Sequence, residues 1–377
     1  MRRFPGITAT LLAGMMSVAW SQPHHDKKQH GVVSFDAPGA GTQPFQGTFV
    51  AGIADNGAII GWFIDGGGVS HGFLREPNGT IATFDAPGAA AALNQGTIPF
   101  GMNASRLTTG YYVDGAGINH SFLRDQHGNF TTFDVPGAGP NPGDGTVAGN
   151  IGSGGEISGL YIDEQGATHG FVRDAVGNVT AFDAPGAGSG LSQGTDTAIF
   201  FGMNPSGAVT AAYSDSAGVY HGFVRAADGA IGTFDLAGAG TSAGQGTLPV
   251  GINPDGSIAG IYMDSANVHH GFERAPDGTL SAFDAPGAGI GPYEGTFVAS
   301  INAAATLAGW IEDAGDVHHG YVRTADGAFT MVDIPGAGTN AGQGTFPVGI
   351  DPSGTLTGWY ADANSVFHAF IIPKNAL

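Results

Sequence analysis

The chain has no cysteine, so disulfides, thiolate metal sites and thiol catalysis are excluded and the fold must be held by burial and hydrogen bonding alone. Charge is scarce: Asp, Glu, Lys and Arg make up 12 % of the 377 residues, about half the usual ~25 %. Positive charge is scarcer still, with 12 Lys+Arg against 32 Asp+Glu and a formal net charge of −20. Such a surface repels phosphate backbones and anionic membranes, which argues against nucleic acid as a partner. No apolar run reaches the ~20 residues needed to span a bilayer. No stretch beyond residue 21 keeps a 3.6-residue apolar period, so helices are not expected. A phosphate loop is also missing.

The first residues read as an export signal. Arg2 and Arg3 form a positive start, Ile7 to Trp20 is an uncharged apolar run of 14 residues, and Ala19-Trp20-Ser21 offers small residues for cleavage. Residues 1–21 are therefore expected to be a signal peptide and residues 22–30 a disordered leader, which places the mature chain in the periplasm or outside the cell.

Glycine, by contrast, is abundant, with 67 residues, and the chain repeats itself. The motif Phe84-Asp85-Ala86-Pro87-Gly88-Ala89 has counterparts whose aspartates are Asp36, Asp85, Asp134, Asp183, Asp235, Asp284 and Asp333, spaced by 49, 49, 49, 52, 49 and 49 residues. A fixed period of this size means a repeat architecture. Within one unit, Gly246–Ile252, Ser257–Asp264, His269–Arg274 and Thr279–Ala285 are short apolar or alternating runs. Asn253-Pro254-Asp255-Gly256, Ser265-Ala266-Asn267 and Ala275-Pro276-Asp277-Gly278 are turns between them. Four strands in about 49 residues is the size of a propeller blade. Pro99, Pro249 and Pro347 fall in the first strand, which must then be an edge, as the innermost strand of a blade is. The chain opens with a lone fourth strand at Gly31–Asp36 and finishes with a lone third strand at His368–Ile372. The expected fold is all-β: a seven-bladed propeller of four antiparallel strands per blade, residues 31–377, closed by the N-terminal strand completing the last blade.

The third strand carries His71-Gly72-Phe73, His120-Ser121-Phe122, His169-Gly170-Phe171, His221-Gly222-Phe223, His270-Gly271-Phe272, His319-Gly320-Tyr321 and His368-Ala369-Phe370. With the Gly-Ile-Asn and Phe-Asp-x-Pro-Gly-Ala elements around it, this pattern resembles the bacterial extracellular HAF repeats over residues 31 to 372. The resemblance implies an exported, propeller-like repeat protein, and it implies no general enzymatic activity or cofactor. Ser121 and Ala369 depart from glycine, and Leu236-Ala237 replaces the Ala-Pro step.

Each unit holds a polar set. Asp65, Asp114, Asp163, Asp215, Asp264, Asp313 and Asp362 end the second strand, and the repeat histidine follows six residues later. Arg75, Arg124, Arg173, Arg225, Arg274 and Arg323 follow four residues beyond, with Ile372 breaking the series. His, Phe and Arg alternate by two and so share one strand face. Seven metal or acid–base sites would be one reading of this set. A residue present in every unit points instead to a structural lattice in which buried polar groups are paired.

Function is therefore sought in what differs between units. The fourth unit carries three extra residues within Asp196-Thr197-Ala198-Ile199-Phe200-Phe201, as a bulge at the inner strand would. In the linkers, Phe45, Leu93, Asp144, Leu191, Tyr293 and Glu294 stand where other units carry Gly, Ser or Ala. Strand parity puts these linkers and both aspartate series on one face, an acidic surface dotted with aromatics that suits a ligand such as a sugar. Phe45, Asp144, Asp196, Tyr293 and Glu294 are the candidate binding residues. His269 and His318 lie on the opposite strand face and lack a third metal ligand at the right spacing, and the Asp-Gly turns lack the acidic alternation of an EF-type calcium loop.

The leading expectation is a non-catalytic, monomeric ligand- or protein-interaction module without a cofactor. The alternative is a propeller hydrolase or lactonase with calcium or another divalent ion in the channel. It needs three or four carboxylate, Asn or His side chains converging there, whereas the inner strands mostly offer Thr, Val, Pro, Gly and Phe, with Asn103, Asn204, Asn253 and Asn302 at their far ends, which leans against it.

Overall fold

The computed structural model describes residues 27–29, 31–197 and 202–377. The signal segment, most of the leader and residues 198–201 of the insertion lie outside them. Lys27–Gln29, inside the expected disordered leader, forms a short strand paired antiparallel with Val32–Ser34.

The fold is all-β and propeller-like. In the unit containing Gly246–Ile252, Ile258–Met263, His269–Arg274 and Leu280–Phe283, each strand pairs antiparallel with the next. The chain then crosses a linker to the next inner strand, Gly295–Ile301, whose first residue pairs in parallel with His269. The first strands are innermost: Gly47–Ile53 lies beside Gly96–Met102 on one side and Gly344–Ile350 on the other. The fourth strands, four residues long, are the exposed outer edge. Pro99, Pro249 and Pro347 each sit at a bulge in the inner strand, where no donor is required.

The two chain ends meet. Val32–Phe35 pairs antiparallel with Phe367–Ile372, and Phe367 pairs in parallel with Gly47. The last strand set thus receives its outer strand from the start of the fold, which removes an unpaired edge.

Packing follows from the His-x-Phe face. Phe73, Phe122, Phe171, Phe223, Phe272 and Phe370 are fully buried, each worth roughly 2–3 kcal/mol of apolar burial. Tyr321 takes the equivalent place in the sixth unit, and its hydroxyl donates to the Phe297 carbonyl at 3.0 Å. Seams between units are closed by arginine. Arg75, Arg124, Arg173, Arg225, Arg274 and Arg323 lie over Phe35, Phe84, Phe133, Phe182, Phe234 and Phe283 of the preceding unit, at 4.3–5.1 Å from the ring centroids. The break in the series is matched on both sides. Ile372 replaces the arginine where Val332 replaces the phenylalanine, and both belong to one buried apolar cluster.

Candidate functional site

The repeated polar residues are used up in holding the fold. The His270 Nδ1–H donates to Asp284 Oδ1 at 2.8 Å, and its Nε2 lies 3.5 Å from Asp264 Oδ2. The same Asp–His–Asp clamp joins Asp65–His71–Asp85, Asp114–His120–Asp134, Asp163–His169–Asp183, Asp215–His221–Asp235 and Asp313–His319–Asp333. Asp264 also accepts the N–H groups of Ala266 and Val268; burial acts to raise its pKa, but these bonds and His270 hold it below the usual carboxylate value. Five of the histidines stack on a second-strand tyrosine or phenylalanine at 4.8–5.1 Å. The clamps tie the second, third and outer strands of a unit together, and the arginines add stacking and, at Arg323, an ion pair with Glu273 at 2.7 Å.

The seventh clamp, Asp36–His368–Asp362, ties the first residues of the fold to the last and is more buried than the others, with the His368 side chain 8 % exposed. Burial opposes protonation of His368, but Asp36 and Asp362 outweigh it, and the imidazole is pushed up to about 9. A folded-state pKa above the unfolded ~6.5 gives stabilisation fully present below pH ~6.5 and lost as pH rises through about 9. The loss is on the order of 3 kcal/mol at most. The melting temperature should fall over this window more steeply in the native protein than in His368→Gln. Equal pH slopes in the two proteins would contradict the assignment.

A second recurring device was not apparent from the sequence. Thr48, Thr97, Thr146, Thr195, Thr247, Thr296 and Thr345 are fully buried, and each Oγ1 accepts the N–H of the residue after a motif aspartate, at 2.9–3.0 Å. The constancy of Gly-Thr was the available signal.

Two of the five candidate binding residues are structural. Asp144 is 2 % exposed and its Oδ2 accepts the Asn141 N–H at 3.0 Å. Glu294 Oε2 accepts the Gly291 N–H at 2.6 Å. Both occupy the place of Gln46, Gln193, Gln245 and Gln343, whose side-chain oxygens cap the same linker turn. They are glutamine replacements, not variable linker tips. Asp196 is the third residue of its inner strand, paired with Ala212, and its charge acts with burial to raise the Tyr220 hydroxyl pKa.

Phe45 and Tyr293 are the true tips, and they open onto a cavity of about 1680 Å³ on the ring axis. Both have left-handed backbone, φ 67° and 71°, where the equivalent residues include Gly143, Gly244 and Gly342. A bulky side chain there costs on the order of 1 kcal/mol or more. Leu93, Leu191 and Tyr293 are exposed at this mouth. At the other end the inner strands finish in Ile53, Met102, Ile151, Met203, Ile252, Ile301 and Ile350, an apolar constriction.

The wall between is asymmetric. An aromatic belt runs through Phe297, Trp310, Phe346, Trp359, Phe49, Trp62 and Phe100, with successive centroids 4.0–6.1 Å apart. It covers only part of the ring, because the same places elsewhere hold Val147, Leu160 and Ala212. Beside it lie His269, Glu312 and His318. His269 Nδ1–H donates to the Tyr293 carbonyl and His318 Nδ1–H to the Gln343 carbonyl, both at 3.1 Å. The His318 Nε2 is 3.7 Å from Glu312 Oε2. Among the described residues no group of three or more His, Asp and Glu is placed to hold a metal ion. Asn103, Asn204 and Asn302 are spent on turns: each Oδ1 accepts backbone N–H groups and each Nδ2 donates to a carbonyl of the following unit.

No family model and no curated protein matches this chain. Among solved structures, a puromycin hydrolase S511A mutant complexed with PGG is similar over 90 % of this chain and 52 % of its own, at 12 % identity and TM-score 0.52. A prolyl endopeptidase is similar over 90 % and 51 %, at 10 % identity and TM-score 0.49. A fucose-specific lectin from Aleuria aurantia is similar over 76 % and 94 %, at 12 % identity and TM-score 0.43. The chain spans about half the length of the puromycin hydrolase and the prolyl endopeptidase. At these identities the likeness is one of fold.

Proposed function

We propose that the chain is an exported seven-bladed β-propeller, four strands to a blade, serving as a non-catalytic binding module at the cell envelope or outside the cell. Its ligand, a glycan, seats at the linker-face mouth of the channel. One observation carries this reading: Phe45 and Tyr293 place aromatic side chains at the mouth on left-handed backbone that Gly143, Gly244 and Gly342 occupy in three other blades and Asn94 and Ser192 in the remaining two. Strain of this kind collects at functional sites, where it is offset by the rest of the fold. An apolar, aromatic mouth over a large concave space is the ordinary form of a small-ligand site. The inner-strand asparagines give the hydrolase reading no support, since the Oδ1 atoms of Asn103, Asn204, Asn253 and Asn302 each accept turn N–H groups.

Tyr293→Gly separates function from stability. Glycine relieves the positive φ, so the melting temperature should hold or rise, while glycan-array binding of the mature protein falls about ten-fold, as for loss of an aromatic contact worth ~1.4 kcal/mol. Binding unchanged in Tyr293→Gly and Phe45→Gly would overturn the mouth as the site.

A further inference from the structure

Resting on that reading, we infer that His269, Glu312 and His318 form a single hydrogen-bonding subsite for the hydroxyl groups of a neutral sugar residue. Three observations lead to it.

The first is position. Glu312 is a carboxylate at a place held by Ile64, Val113, Ile162, Ser214, Met263 and Ala361 in the other blades. His269 and His318 start the third strands of adjacent blades, and all three side chains line the cavity. The combination occurs at one seam, so the ring has one such subsite.

The second is hydrogen-bonding polarity. His269 and His318 are 6 % and 4 % exposed, each packed at 4.4 Å and tilted by 36–39° against an inner-strand phenylalanine, Phe297 and Phe346. Each spends its Nδ1–H on a backbone carbonyl; for His269 this leaves Nε2 of the neutral ring as an acceptor, while His318 turns its Nε2 toward Glu312 Oε2 at 3.7 Å. Burial lowers the His269 pKa and so favours that neutral form. An imidazole acceptor at His269 beside the Glu312 carboxylate requires a ligand rich in donors. No lysine or arginine lines the cavity among the described residues, and Asp316 adds a second acid. An anionic sugar finds no partner there and meets repulsion.

The third is the connection to the mouth. The carbonyl that orients His269 belongs to Tyr293, the strained aromatic above it. A sugar placed against the Tyr293 ring has the acceptors of the notch within the same seam. A cationic ligand is less well served, because the neighbouring rings spend their faces on one another: Phe297 on Trp310 at 5.4 Å and 6°, Phe346 on Trp359 at 4.0 Å and 22°.

The internal repeats supply variants that preserve the fold. Glu312→Met installs the residue of the fifth blade, and His318→Phe installs that of the seventh while keeping the packed ring. Calorimetric titration with the neutral oligosaccharide selected on a glycan array should give one site per chain. Affinity should fall roughly ten-fold or more in each variant, as expected for loss of a hydrogen bond to a charged or buried acceptor, with melting temperature retained. A uronic-acid analogue should bind at least about ten-fold more weakly than the neutral sugar. Several equivalent sites, undiminished affinity in both variants, or preference for the acidic or a cationic amino sugar would each overturn the subsite. If Tyr293→Gly weakens binding while Glu312→Met and His318→Phe do not, the subsite fails and the mouth reading stands; no binding to any glycan overturns both.

Discussion

A protein lacking residues 31–37 should show no cooperative melting transition. These seven residues hold both ends of the ring. Val33 and Ser34 pair with Ile371 and Phe370 of the last strand, and Asp36 holds His368 at 2.9 Å. Toward the first unit, Phe35 lies under Arg75 at 4.7 Å and edge-on to Phe73 at 6.1 Å, while the Ala37 N–H donates to Thr48. Their removal exposes a sheet edge, uncovers the Phe73 cluster and leaves a buried histidine with half its clamp. Burial of Phe35 and Ala37 with the clamp amounts to roughly 5 kcal/mol or more, comparable with the ~5–15 kcal/mol that holds a whole domain. Calorimetry checks this, and a truncated protein with the native transition would refute closure by this strand.

Gly246→Ala should destabilise the fold by on the order of 3 kcal/mol or more. Gly246 has φ 124°, outside what an L side chain adopts, and a Cβ there would stand 2.0 Å from the Tyr220 carbonyl oxygen. That contact is the parallel bridge at which the inner strand crosses the preceding third strand. The neighbour is backbone, so relief requires the seam to open. All seven equivalents, Gly47, Gly96, Gly145, Gly194, Gly246, Gly295 and Gly344, share the geometry, with φ of 113–126°. A drop of several degrees in the melting temperature is expected; an unchanged transition would mean the crossing is not tightly packed.

The strands were legible because the pattern is stated once per unit. The expected runs Gly246–Ile252 and His269–Arg274 match the observed strands residue for residue, and Ser257–Asp264 and Thr279–Ala285 are each longer than theirs at both ends. The clamp aspartates and histidines were legible for the same reason. Arginine stacking was not, because each partner phenylalanine sits on the preceding unit and its identity depends on how units pack. Asp144 and Glu294 misled because they replace glutamine, which hid their turn-capping role behind a change of charge. The His269–Glu312–His318 notch draws on two adjacent units, and only the ring geometry brings its residues together. Phe45 and Tyr293 could be picked out as odd residues, but their left-handed backbone could not.

On the proposed function, repeated residues hold the ring and unrepeated ones meet the ligand. Melting temperature and glycan binding measured together on Gly246→Ala and Tyr293→Gly test that division most directly. The predicted result is a lowered transition with native affinity below it for Gly246→Ala, and a native or raised transition with about ten-fold weaker binding for Tyr293→Gly. Weakened binding in the first with no loss in the second would contradict it.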